Sequence, residues 1–259
     1  MKHSIYQIDA FANRVFEGNP AAVVPLKEWL TDEQMQAIAE ENNLAETAFF
    51  ISNNHGYHIR WFTPVAEIKL CGHATLASAY VIFNILGYQQ SKITFDSLSG
   101  PLSVEKSGDL LTLNFPQSSY EKIECPELLK QGLGVSPNEV YCGEKYLAIF
   151  DNEEVVANIS PNHQFLKQLE GGAVIISAPS EKYDFVSRCF VPKLGIPEDP
   201  VTGSAHTLLT PFWAERLGKS VLEAKQISKR GGELTCELIN NRVFMSGYAV
   251  KYLEGNIYL

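Results

Sequence analysis

The strongest constraint on this chain is that two distant stretches read alike. Cys71-Gly72-His73-Ala74-Thr75 and Thr202-Gly203-Ser204-Ala205-His206 each pass from a polar, turn-rich segment straight into an apolar helical pattern. Phe62-Thr63-Pro64 stands ahead of the first, and Phe190-Val191-Pro192 ahead of the second. From Gly72 and from Gly203 it is fifteen residues to a Leu-Gly pair, ending at Gly87 and Gly218, where a helix is expected to stop. Past those stops, G-P-L-S-V-E at 100–105 is answered by G-E-L-T-C-E at 232–237. Self-similarity at this separation implies two related halves packed as a pseudo-dimer. We place them at 1–117 and 118–259, with the polar stretch Pro116 to Pro126 as the linker.

Within the first half the signals are local. Ile5 to Phe11 alternates as a strand does, and Ala21 to Pro25 is a short apolar strand after the Gly18-Asn19-Pro20 break. Thr31 predicts an N-cap, Gln34 its capping-box partner, and Leu30 with Met35 a hydrophobic staple. That helix runs out near Asn42-Asn43, before a strand-like L-A-E-T-A-F-F at 44–50. His58 to Phe62 alternates again, a helix follows C-G-H-A-T, and 93–95, 102–105 and 110–115 read as antiparallel strands separated by Gly-containing turns. Long antiparallel runs with one principal helix per half predict an α+β class rather than alternating βαβ units.

Composition removes several functions. A formal net charge of −9 leaves no basic surface for nucleic acid, and no global positive field to steer an acidic substrate. The five cysteines are spread out with no C-x-x-C pair, so neither a disulfide framework nor a zinc knuckle is expected. The N-terminus lacks the apolar core of a signal peptide, and charges interrupt every apolar run before membrane-spanning length. A cytoplasmic protein with no membrane partner is the expectation. His55 and His58 lack the helical spacing of a metal site. Gly203-Ser204-Ala205 lacks the second glycine of a nucleophile elbow, and the Gly171-Gly172 and Gly231-Gly232 pairs fit neither a dinucleotide nor a phosphate loop. No metal and no cofactor are expected.

The two junctions carry the chemistry. A helix start exposes unpaired N–H groups and a partial positive charge, and Gly72 and Gly203 present no side chain to obstruct an approaching ligand. With the halves face to face, both starts would hold a carboxylate or an enolate without Lys or Arg. Glu46 is a lone carboxylate in an apolar strand and has two readings. Buried, its pKa would rise and it would exchange protons near neutrality; on an edge strand it would simply point to solvent. His73 at a helix start is either structural or a hydrogen-bonding partner of substrate. Asp199, Thr202 and Ser204 either shape the turn and cap the helix or contact a ligand.

Taken together, I-D-A-F, G-N-P-A-A-V-V, L-A-E-T-A-F-F, F-T-P-V-A-E-I-K-L-C-G-H-A-T and E-D-P-V-T-G-S-A-H resemble the phenazine-biosynthesis PhzF-like isomerase family across nearly the whole chain. The resemblance implies a diaminopimelate-epimerase-like fold, two similar α+β halves each wrapping a mostly antiparallel sheet on a central helix, with the active site between them. It implies a cofactor-independent isomerase, commonly a homodimer, acting on a small carboxylated metabolite that is cyclic or amino-acid-derived. By the same resemblance Glu46, His73, Asp199 and Ser204 are the catalytic set, and Asn19, Gly72, Thr202 and Gly203 bind substrate. Related epimerases use two thiols, one before each helix; Cys71 occupies the first such position, but Thr202, a poor base, occupies the second. A third reading keeps the cleft as a non-catalytic binding module.

Overall fold

The computed structural model describes residues 1–259, except for the side chain of Leu194. The chain forms two compact units: unit 1 is Met1–Phe115 with Phe244–Leu259, and unit 2 is Pro116–Val243. The first holds β1 (Lys2–Ala10), β2 (Asn19–Leu26), α1 (Asp32–Asn42), β3 (Glu46–Asn53), β4 (Gly56–Phe62), β5 (Glu67–Ile68), α2 (Gly72–Tyr80), β6 (Lys92–Asp96), β7 (Leu102–Ser107) and β8 (Leu110–Pro116). Next come β9 (Glu121–Ile123), α3 (Glu127–Leu133), β10 (Glu139–Cys142), β11 (Tyr146–Ile149), α4 (Glu153–Asn158) and α5 (His163–Leu166). Then follow β12 (Val174–Pro179), β13 (Phe185–Val191), β14 (Ile196–Asp199), α6 (Gly203–Leu217), β15 (Val221–Gln226) and β16 (Gly232–Ile239). β17 (Arg242–Gly247) spans the boundary, and β18 (Ala249–Tyr258) ends the chain.

In unit 1, β1 pairs antiparallel with both β18 and β2, β2 runs parallel to β3, and β3 is antiparallel to β4. β4 takes β5 antiparallel and β6 parallel, and β6 and β7, then β7 and β8, form antiparallel pairs. Unit 2 repeats the succession. β9–β10 and β10–β11 are antiparallel, β11–β12 parallel and β12–β13 antiparallel. β13 takes β14 antiparallel and β15 parallel, and β15–β16 is antiparallel. The self-similarity of the sequence is thus a repeat of strand pairing, in the α+β class with mostly antiparallel ladders.

Each unit packs its sheet against one buried helix. Every residue of α2 from Gly72 to Ala79 is buried, and most of α6 as well. Such helices are small or apolar all round and show no one-sided stripe. Past Tyr80, residues Val81–Ile85 add a turn of π-helix. Pro211 sits inside α6 and has no N–H to offer the Thr207 carbonyl one turn earlier. That carbonyl accepts instead from Ser118 N–H at 3.0 Å, and the Ser118 and Thr207 hydroxyls meet at 2.7 Å. The stretch expected as a linker is therefore secured within unit 2, and part of it forms β9. The other difference from the expected 1–117/118–259 division is Phe244–Leu259, which joins unit 1 because β18 pairs along the length of β1.

Matching clamps secure the turns that lead into the two helices. Arg60 on β4 holds Glu67 on β5 through two bonds of 2.7 Å, and Arg188 on β13 holds Glu198 on β14 at 2.7 and 2.9 Å. A planar fork on a carboxylate fixes orientation as well as distance. Among the described residues no helix is long and apolar enough to cross a membrane.

Candidate active site

Unit 1 brings together Asn19, Glu46, Gly72 and His73, all named from the sequence. Asn19 opens β2 after a tight turn at Gly18, which has φ +66°; a Cβ there would lie 2.1 Å from the Ala10 carbonyl oxygen. Glu46 is the first residue of β3, beside Ala21 of the parallel β2. Because β3 lies between β2 and β4, it is not an edge strand, and the Glu46 side chain keeps only 12% of its surface exposed. The solvent-pointing reading of Glu46 is thereby removed. Gly72 and His73 are the first residues of α2, and His73 is buried.

His73 is the hub of this group. Its Nε2 lies 3.1 Å from Glu46 Oε2, and its Nδ1 lies 3.1 Å from Asn19 Nδ2 and 3.5 Å from Cys71 Sγ. Burial alone would pull the imidazolium down, but the Cys71 sulfur and the Glu46 carboxylate outweigh it and hold His73 well above its ordinary value. Burial pushes the Cys71 thiol up to about 11, with Glu46 adding to the rise, so the thiol is neutral at pH 7. Glu46 is therefore the charge that sustains the imidazolium. Asn19 serves either state of the ring: its amide offers oxygen to an Nδ1–H, or nitrogen to a bare Nδ1. Glu46, Cys71 and His73 also bring one potential ligand atom each within 4.8 Å of one another, an O/S/N grouping that the sequence reading did not foresee. At 3.1 Å the two groups are in ion-pair contact, while neither Nε2 nor Oε2 meets hydrogen-bond geometry.

Unit 2 brings together Asp199, Thr202, Gly203 and Ser204. Asp199 ends β14, Thr202 immediately precedes α6, and Gly203 and Ser204 are its first two residues. Neither α2 nor α6 has a side-chain cap at its start. Thr202 does not act as a cap, because its hydroxyl turns back and donates to Asp199 Oδ2 at 2.5 Å. The first-turn N–H groups of both helices thus lack a capping side chain, as an anion-binding start requires. His206 donates from Nδ1 to the Thr202 carbonyl at 2.9 Å, and burial pulls it down to about 4, so it is a neutral structural histidine.

Two participants were not among the sequence-named site residues. Cys71 was noted only as the thiol position of a different mechanism, yet it touches the His73 ring. Gln226 lies outside every motif quoted above; it is fully buried and bonded to both Asp199 and Thr202. Its signal was present, a long amide on the inward side of an alternating strand.

Comparison with known proteins fits this arrangement. Residues 8–255 match the family described as phenazine biosynthesis-like protein. An uncharacterized isomerase of Pseudomonas aeruginosa is 47% identical over 100% of both chains. A crystal structure of a phenazine biosynthesis protein of the PhzF family from Enterococcus faecalis superposes with a TM-score of 0.97 at 47% identity, covering 100% of each chain. A hydroxyproline epimerase from Agrobacterium vitis, only 10% identical, superposes at 0.61 over 99% of this chain and 92% of its own, a likeness of fold alone. With a family match over nearly its whole length and the fold of the epimerases, the chain belongs to the phenazine biosynthesis-like protein family and is an isomerase of the α+β, diaminopimelate-epimerase-like fold.

Proposed function

We propose that this isomerase moves a proton within a small carboxylated metabolite, cyclic or amino-acid-derived, and that Glu46 both removes the proton and returns it. The observation that carries this reading is the buried Glu46–His73 contact of 3.1 Å. A carboxylate held beside the His73 ring is oriented, ready to accept a proton from carbon and then act as its acid. One base suffices when the proton leaves and returns on the same face. The C–H bond broken is balanced by the C–H bond formed, and no electrons are exchanged with a second molecule, so the chemistry needs no cofactor. His73 and Asn19 hold the base. The uncapped start of α2 at Gly72 supplies backbone N–H donors to the substrate carboxylate or to the enolate that forms, a form of stabilisation that strengthens as charge develops, and the start of α6 at Gly203 offers donors of the same kind. Asp199, Thr202 and Ser204 bind the polar groups of the substrate. The same reading takes the working enzyme as a homodimer.

Inversion by two thiols is disfavoured, because Thr202 stands where the second thiol belongs. The test is solvent exchange. Wild type and Glu46→Gln are incubated in deuterated water with a panel of carboxylated metabolites, and mass spectrometry reads incorporation. Wild type is expected to introduce deuterium into at least one metabolite that it binds, and the variant to introduce none. Exchange retained by Glu46→Gln removes Glu46 from the role, and binding without exchange across all bound metabolites removes proton transfer altogether.

A further inference from the structure

Gln226 ends β15, on the inward face that it shares with Leu222 and Ala224, and it has no surface left to solvent. A buried primary amide is costly unless its donors and acceptor are met. One turn meets them. Thr202 N–H donates to Gln226 Oε1 at 2.9 Å, while Gln226 Nε2 donates to the Asp199 carbonyl at 2.6 Å and to Thr202 Oγ1 at 3.1 Å. The directions are forced. A backbone N–H can only donate, so the amide oxygen must face it, and the NH2 group must face the Thr202 hydroxyl. Accepting on that side, the hydroxyl gives its own proton to Asp199 Oδ2 at 2.5 Å.

We infer that Gln226 is a positioning residue: it fixes the Thr202 hydroxyl as a donor to Asp199 and so holds that carboxylate in its accepting, ionised form. This rests on the reading of Asp199 as a substrate-binding group, but the chain of bonds can be measured without substrate. A second group touches this chain besides Gln226, the Cys189 thiol beside the Thr202 hydroxyl. Cys189 lies opposite in the β13–β14 ladder, and burial, with Asp199 adding, pushes its thiol up to about 12, so it stays neutral. Lys145 and Glu198 also act on Cys189, and the Glu198 charge is taken up by Arg188. His206, bonded to the Thr202 carbonyl, is neutral. Gln226 also occupies the Thr202 N–H, so the N–H donors that α6 can offer a ligand begin at Gly203.

The experiment follows the Asp199 carboxyl by 13C NMR in the full chain, with the signal assigned by its loss in Asp199→Asn. Thr202→Val removes the donor and is expected to raise the Asp199 pKa by roughly one unit, while Thr202→Ser moves it by at most a few tenths. Gln226→Met, nearly isosteric, should produce part of the Thr202→Val rise. Added to Thr202→Val, it should produce a smaller rise than it does alone, because the hydroxyl link between the amide and the carboxylate is already gone and only the bond to the Asp199 backbone carbonyl remains. An equal Gln226→Met shift with and without the Thr202 hydroxyl, or no shift in either background, overturns the inference. Should Gln226→Met not fold, an Asp199 pKa unmoved by Thr202→Val overturns it by showing that the last link carries nothing. These outcomes leave the proton-transfer reading intact, since that reading stands or falls on deuterium exchange.

Discussion

Replacing Glu46 with Gln keeps the shape of the side chain and removes one negative charge. At 3.1 Å and an effective dielectric of about 20, opposite unit charges attract by roughly 5 kcal/mol. Since one pKa unit corresponds to about 1.36 kcal/mol, the ceiling on the resulting fall in the His73 pKa is about 4 units. The floor is the same attraction fully screened, about 1 kcal/mol in bulk water, or a little under one unit. His73 is therefore expected to drop by about 1 to 4 units from its raised position, with burial left to pull it down. Stability follows with a definite sign. A histidine raised on folding contributes fully below its unfolded value of about 6.5, and that contribution is lost as pH rises through the folded value. Wild type should thus lose stability across that window, and Glu46→Gln should lose less. The assay is an NMR titration of histidine Cε1–H, assigned with His73→Gln, alongside urea unfolding at pH 6 and pH 9. A fall of less than half a unit, a rise, or an identical pH slope in the two proteins would refute the assignment of Glu46 as the charge that sustains the imidazolium.

Two further changes test what holds the frame. Thr31→Ala removes the side chain that accepts Gln34 N–H at 3.3 Å and breaks the capping box, and should cost about 1 kcal/mol in denaturant unfolding, with Thr31→Ser recovering most of it. Ser177→Ala takes away the acceptor of the buried Trp213 Nε1–H, at 3.0 Å, and should destabilise unit 2 by about 1 to 3 kcal/mol, read by tryptophan fluorescence during unfolding.

What the sequence reveals here divides by the range of the interaction. The helix α1 is legible because its signals lie within a turn of one another: Thr31 and Gln34 bond reciprocally, and Asn43 ends the helix with φ 47°. Glu46 is conspicuous as a lone carboxylate, but its burial depends on β3 lying between β2 and β4, which no local pattern states. The polar run after Phe115 reads as a linker because the carbonyl that tethers it, on Thr207, is freed by a proline far along the chain. The final strand reads as part of the second half by continuity, whereas its hydrogen bonds go to β1. Gln226 shows its oddness in the strand alternation and hides its partners, which lie more than twenty residues earlier.

The two repeats share a backbone plan and differ in the chemistry placed on it. Each has an Arg–Glu clamp across a hairpin and a helix whose start carries no side-chain cap. Before α2 the plan holds a neutral thiol against a histidine that is paired to a carboxylate. Before α6 it holds a hydroxyl committed at once to Gln226 and Asp199. A two-base mechanism would need Thr202 to release a proton and take one back, yet its hydroxyl already accepts from an amide and donates to a carboxylate within one buried chain. That commitment suits a group that binds, which agrees with the proposal that the proton is carried by Glu46 beside His73.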